Sequence, residues 1–186
     1  MSKTVIRNGM FETNSSSVHS ICISKKPVGD VKGRRINFYL GEYHWEHESV
    51  NTADYLYTAI MCQSEREELL AKLKLILDKH GVDYTFEPAK METWTDSDGK
   101  VHSYCENGGI DHSGETIEFI NAVLSDEDLL LRCLFNDASA VYTGNDNCKP
   151  DYEGCYVGDP DCYDHGAWIP NPYHDETNFD YFVKGN

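Results

Sequence analysis

Basic residues are scarce in this chain. Sixteen Lys and Arg stand against 32 Asp and Glu in 186 residues, a formal net charge of -16. A chain so short of cations gains little from counterion release, the usual electrostatic route to nucleic acid. No apolar run approaches the roughly 20 residues of a membrane span. The N-terminus shows no signal-peptide core, so a cytoplasmic protein is expected. Familiar catalytic signatures are also missing: there is no Gly-rich phosphate loop, no H-E-x-x-H pair and no glycine-framed nucleophile elbow. The seven cysteines are an odd number, which argues against a complete disulfide framework. In a reducing cytosol they read as thiols or metal ligands.

What is present is acid, and it is unevenly spread. The first 40 residues hold Lys3, Arg7, Lys25, Lys26, Lys32, Arg34 and Arg35 against only Glu12 and Asp30. That basic start is expected to pair with the acidic body of the fold, because apolar strands within it argue against a free arm. The outer charge serves solubility and would steer the chain towards a basic partner surface.

Length and hydrophobic content suit one domain over residues 1–186. Thr4–Gly9 reads as a short strand and Asn14–Ser17 as a turn whose side chains bond nearby backbone. Val18–Ser24 alternates, with His19, Ile21 and Ile23 on one face and Val18, Ser20, Cys22 and Ser24 on the other. Arg35–Leu40 is a strand, and a polar connection carrying His44 and His47 leads to a helix over Thr52–Cys62. There Tyr55, Leu56, Ala59, Ile60 and Met61 share a buried stripe. Ser64 and Glu67 read as the capping box of the next helix, in which Leu69, Leu70, Leu73, Ile76 and Leu77 keep helical spacing and which Gly81 stops.

Val82–Phe86 is a strand, and Asp98-Gly99 joins a hairpin whose arms end at Trp94 and Tyr104. Glu115–Leu124 and Asp126–Phe135 read as helices, with Ser125 capping the second. Ala140–Thr143 and Asn178–Val183 are strands. This grouping predicts an α+β fold: a largely antiparallel sheet packed with about four helices. A Cys/His-rich, metal-stapled loop region over 145–174 completes it.

That region concentrates the chemistry. Cys148, Cys155 and Cys162 are spaced by six intervening residues, and His165 follows Cys162 after two. Three thiolates and an imidazole fill the four positions of tetrahedral zinc and leave none for water, so the predicted site is structural. Glycines and prolines let the backbone wrap, and the scarcity of aliphatic residues leaves cohesion to the metal. Cys105, His112 and His174 are reserve ligands. The competing readings are small buried cysteines and calcium on Asp159, Asp161 and Asp164. An EF-hand loop starting at Asp159 would need glycine where Asp164 stands.

Asn14, Ser15, Ser16, Ser17, His19 and Cys22 form a second constellation. Ser or Cys could be a nucleophile with His19 as base. In a strand, however, His19 and Cys22 fall on opposite faces. The simpler reading is a turn entering a strand with His19 hydrogen-bonded beneath it. His44 and His47 could chelate a metal from one helical turn or lie in a solvated loop beside Trp45. Trp94 and Trp168 read as core or rim.

The run IRNGMFETNSSSVHSICIS (residues 6–24) resembles the start of small proteins of phages and mobile elements of Gram-positive bacteria. With its acidity and metal-type tail, the chain also resembles type II anti-CRISPR proteins. That resemblance implies a non-enzymatic inhibitor in the bacterial host cytoplasm. It would bind a basic host protein, an RNA-guided DNA nuclease, and block target-DNA loading, with Asp126, Glu127 and Asp128 or Asp159, Asp161 and Asp164 as contact clusters. The alternatives are a phage-encoded hydrolase or transferase built on the Asn14–His19 turn, and a phage accessory or structural protein.

Overall fold

The computed structural model describes residues 17–44, 48–145, 154–157, 167–170 and 177–184. The expected strand over 4–9, residues 14–16 of the expected Asn14–Ser17 turn, Trp45 and His47 lie outside them, and Ser17 belongs to a strand. In chain order the elements are β1 (Ser17–Ser24), β2 (Arg35–Phe38), β3 (Glu42–Tyr43), β4 (Ser49–Val50), α1 (Thr52–Cys62), α2 (Arg66–Lys79), β5 (Asp83–Phe86), β6 (Met91–Thr95) and β7 (Val101–Cys105). Then come β8 (Gly109–Ile110), α3 (Ile117–Ser125), α4 (Glu127–Phe135), β9 (Ala140–Asn145), β10 (Gly154–Val157), β11 (Ala167–Pro170) and β12 (Phe179–Lys184).

The fold is α+β, as the grouping of elements predicts. Its main sheet has the order β12-β1-β9-β4 and is antiparallel throughout. Two small pairs, β2 with β5 and β3 with β8, are parallel. A parallel pair needs a crossover, and the β2-to-β5 connection runs through α1 and α2. β6–β7 is an antiparallel hairpin, and β10 pairs antiparallel with β11.

Helix α1 lies at the centre. Nine of its eleven residues are buried, including Thr52, Tyr57 and Thr58, so the predicted stripe widens to almost the whole circumference. It touches the other three helices as well as β2, β7, β8 and β9. One buried cluster joins it to Ile21 and Ile23 of β1, Leu73 and Leu77 of α2, Phe119 and Ile120 of α3, and Leu130 of α4. Strand β1 departs from simple alternation in the same way. It has a neighbour on each edge, and Ser20, Cys22 and Ser24 are as buried as His19, Ile21 and Ile23.

Two predicted caps move. Helix α2 starts at Arg66, and the Ser64 hydroxyl bonds the neighbouring Glu65 carboxylate at 2.7 Å. The Ser64–Glu67 capping box therefore does not form. The start is tied instead by Arg66, whose guanidinium donates to Gln63 O at 2.7 Å and to the Ser103 hydroxyl. Ser125 is the last residue of α3, so its backbone is helical and cannot cap α4. Asp126 is extended (φ -126°, ψ 105°), and its carboxylate accepts from Leu129 N at 3.1 Å. At the far end of α2, Gly81 takes φ +64°, the left-handed conformation that ends the helix.

Moving the cap has a measurable consequence. Asp126→Ala is expected to destabilise the fold by about 1 kcal/mol, and Ser125→Ala by much less. Urea denaturation of the two variants checks the order, and equal losses would restore Ser125 as the cap.

Candidate functional site

Strand β1 carries the chemistry-bearing side chains of the N-terminal motif into the sheet. His19 lies opposite Lys184 of β12 and opposite Thr143 of β9. It is fully buried. Its Nε2 bonds the His44 carbonyl oxygen at 2.7 Å, and its Nδ1 meets the Tyr55 hydroxyl at 2.8 Å. A carbonyl oxygen only accepts, so Nε2 carries the proton. Nδ1 is then an acceptor, and Tyr55 donates to it. Burial drives the His19 pKa down to about 4. Burial also raises the Tyr55 pKa well above its ordinary value, which keeps the phenol a donor. The ring is thus a neutral bridge between α1 and the loop after β3, the hydrogen-bonded histidine that the simpler sequence reading expected.

Sequence reasoning missed Lys184. It ends an alternating strand, and its only signal was a lysine continuing the face of Asp180 and Phe182. The side chain is buried, and its Nζ donates to both the backbone oxygen and the hydroxyl of Ser17. Burial lowers its pKa to about 8, while Asp111 and Glu115 pull the other way. A lysine so placed beside a serine hydroxyl is, chemically, a base beside a nucleophile. Here Ser17 is itself fully enclosed. A cavity of about 290 Å³ is lined by Lys184 with Ile21, Phe119, Phe182 and the exposed Glu115 and Glu118, but Ser17 is not among its lining residues.

The other predicted residues separate. Cys22 is buried and, by alternation, lies on the face away from His19. His44 contributes its carbonyl to His19, and its ring lies 3.7 Å from Glu42. Of the zinc set, Cys155 falls on β10, where its backbone pairs with Ile169. Cys148, Cys162 and His165 lie outside the described residues, as does the reserve His174. The reserve Cys105 is buried with its thiol 3.4 Å from the Asn107 side chain, and His112 pairs with Asp111 at 3.8 Å. Among the described residues, no group of three or more His, Cys, Asp or Glu side chains is placed to hold a metal ion.

The acidic cluster at the start of α4 is occupied. Asp126 is the cap, Glu127 bonds Lys79 at 2.7 Å and His80 at 2.9 Å, and Asp128 holds Arg132 at 2.8 Å. Arg132 in turn donates to Ser24 O at 2.9 Å and to Asp180 at 2.8 Å, joining α4 to β1 and β12. Lys25 also lies 3.6 Å from Asp180, one pairing of the basic start with the body. The Asp159, Asp161 and Asp164 cluster lies outside the described residues. No helix among the described residues is long and apolar enough to cross a membrane.

The neutral state of His19 sets a pH dependence. The unfolded imidazole takes a proton near pH 6.5, whereas the folded one resists it until about pH 4. Stability from this group is therefore complete above the unfolded value. It is lost as pH falls between the two values, by about 3 kcal/mol. Denaturation across that range, compared with His19→Gln, isolates the histidine from the carboxylates. The wild type should lose more stability on acidification than the variant, and parallel curves would sink this account of His19.

Compared with family models, curated proteins and solved structures, the chain matches none.

Proposed function

We propose that this chain is a non-enzymatic acidic inhibitor. It would bind a basic host protein in the bacterial cytoplasm, an RNA-guided DNA nuclease of the type II CRISPR kind, and hinder loading of target DNA. One observation carries the reading. Among the described residues, the reactive-type side chains of the motif, Ser17, His19 and Cys22, are buried together with Lys184 of β12, and Ser17, His19 and Lys184 are bonded to one another or to neighbouring groups. Carboxylates such as Glu67, Glu92, Glu106 and Glu118 are exposed. Guided nucleases hold nucleic acid in a positively charged channel through backbone contacts. An acidic surface fits there, and its attraction weakens with salt.

In this reading Cys148, Cys155, Cys162 and His165 hold a structural zinc that fixes the C-terminal region. The chemistry of the donor set supports it: thiolate and imidazole suit zinc, and four such ligands close its tetrahedron. What the metal would supply is cohesion.

A second reading, a hydrolase or transferase, draws support from the contact between Lys184 and Ser17. A lysine with a lowered pKa can take the proton of a serine hydroxyl. The enclosure of Ser17 favours the binding reading over this one.

A cleavage assay with a purified type II guided nuclease tests the leading reading. Molar excess of this chain should suppress cutting at low salt and lose effect as salt rises, and Ser17→Ala should inhibit as well as wild type. Undiminished cleavage at low salt would overturn inhibition. Turnover of a hydrolase substrate that disappears in Ser17→Ala would favour the enzyme. The zinc reading has its own readout. Metal analysis should give one zinc per chain, and chelator should lower the melting temperature of wild type but not of Cys162→Ser. A metal-free protein indifferent to chelator would remove zinc.

A further inference from the structure

The hairpin of β6 and β7 is poorly covered. All five residues of β6 are exposed, and among the described residues no third strand joins the pair. Met91, Trp94 and Val101 are 39%, 52% and 65% exposed, half of the large exposed hydrophobic side chains in the described residues. A two-stranded hairpin is marginally stable alone in water. This one is pinned at both ends.

At the tip, Asp96 accepts from the backbone of Asp98 at 3.0 Å and of Lys100 at 2.9 Å, and Gly99 takes φ +82°. The other Asp96 oxygen bonds His102 at 2.7 Å. His102 stacks against Trp94, with ring centroids 4.5 Å apart and planes 15° apart. At the base, Glu106 N bonds Lys90 O at 2.7 Å, and Arg66 reaches Ser103 from the start of α2. The indole is therefore held in place while half its surface stays in water.

The register decides what surrounds it. Glu92 pairs with Tyr104 and Trp94 with His102. Alternation puts these four side chains on one face, with Asp96 next along it. That face presents the half-exposed Trp94 ring beside the exposed Glu92 carboxylate, while Asp96 is spent on the turn backbone and on His102. The carboxylates disfavour a phosphate backbone. A guanidinium fits well, because it stacks on an indole and binds carboxylate through a planar fork, and a lysine ammonium gains less from such a pair. Rigid, exposed tryptophans are frequent anchors of protein interfaces. Lys90 and Lys100 flank the strands and lie outside them.

We propose that the β6–β7 hairpin is the docking surface, with Trp94 beside the exposed Glu92 receiving an arginine side chain of the basic partner. This rests on the binding reading above and gives it a location. It also differs from the two acidic clusters that the sequence offered, of which Asp126–Asp128 is paired with groups of the same chain at the surface.

The probe is a short arginine-rich peptide, with a lysine-rich peptide of equal length, each titrated at low salt into the full chain. The arginine peptide should bind more tightly and should shift the Trp94 indole N–H resonance, assigned by its loss in Trp94→Phe. Trp94→Ala should weaken the arginine peptide roughly tenfold. Glu92→Gln removes one exposed charge and leaves the hairpin's pins in place, so it should also weaken binding several-fold. Arginine-peptide binding that is unchanged in both variants, with the Trp94 resonance unmoved, would overturn the hairpin as the site while leaving the acidic binding reading intact. A loss confined to Trp94→Ala, with no resonance shift in wild type, would mark hairpin disruption and overturn the proposal as well. Failure of both peptides to bind wild type at low salt would overturn the proposal together with the reading beneath it.

Discussion

A helix with almost no solvent face must find internal partners for every polar group it carries, and α1 imposes that condition on its neighbours. Asn51 caps it by accepting from Ala53 N at 2.7 Å. Thr52 donates to the carbonyl of Cys133, at the end of α4. Asp54 accepts from Tyr39 N at 2.8 Å, and Thr58 accepts from Gly41 N at 3.1 Å, so the chain after β2 is laid along the helix. Tyr57 donates to Glu87 O at 2.7 Å, and the Glu87 carboxylate reaches back to Leu40 N at 2.9 Å. Tyr55 closes the set by donating to His19. Each group left unsatisfied would cost about 1–3 kcal/mol. The positions of four separate segments therefore follow from satisfying one helix.

The sheet adds a constraint of a different kind. β1 is flanked by β9 and β12, which lie more than a hundred residues further along the chain. The N-terminal motif acquires its environment only when the end of the chain arrives. Lys184 then brings a charge to the Ser17 hydroxyl and carbonyl, and His19 stays neutral beside it. Such long-range pairing carries a large loop-closure cost and slows folding. It also explains why a motif dense in serine, histidine and cysteine need not be an active site. Those residue types can be held in the interior as connectors between distant segments.

Local patterns were legible in the sequence where local physics decides. The limits of α1, the leucine spacing of α2 and the Asp98-Gly99 turn follow from periodicity and from the conformational freedom of glycine. Each predicted cap is off by one residue, because a serine followed directly by an acidic residue offers two bonding choices and only the backbone dihedral selects one. The full burial of α1 was not legible, since Tyr and Thr read as half-polar until their partners are known. The parallel pairs were hidden because pairing direction depends on the path of the crossover. Lys184 was hidden because a buried lysine has no sequence mark distinct from an exposed one. For the zinc ligands, only the backbone of Cys155 is placed, so spacing and donor chemistry still carry that reading.

The scarce cations explain how an interior of this kind coexists with so acidic an exterior. Arg132 bridges α4, β1 and β12, Lys79 joins α2 to α4, and Lys25 reaches β12. These three cations act as staples between elements, each pairing with a carboxylate. The surplus acid is left facing water, where its mutual repulsion weakens the folded state. A basic partner relieves that repulsion on binding, and any ligand that prefers the folded chain stabilises it by mass action. In the proposed binding reading, the charge that would steer this protein towards a basic partner is also the charge that would make that partner stabilising, and both effects would weaken with salt. In the same reading, the pinned β6–β7 hairpin would supply a feature that diffuse charge lacks, a fixed aromatic contact able to distinguish one cation from another.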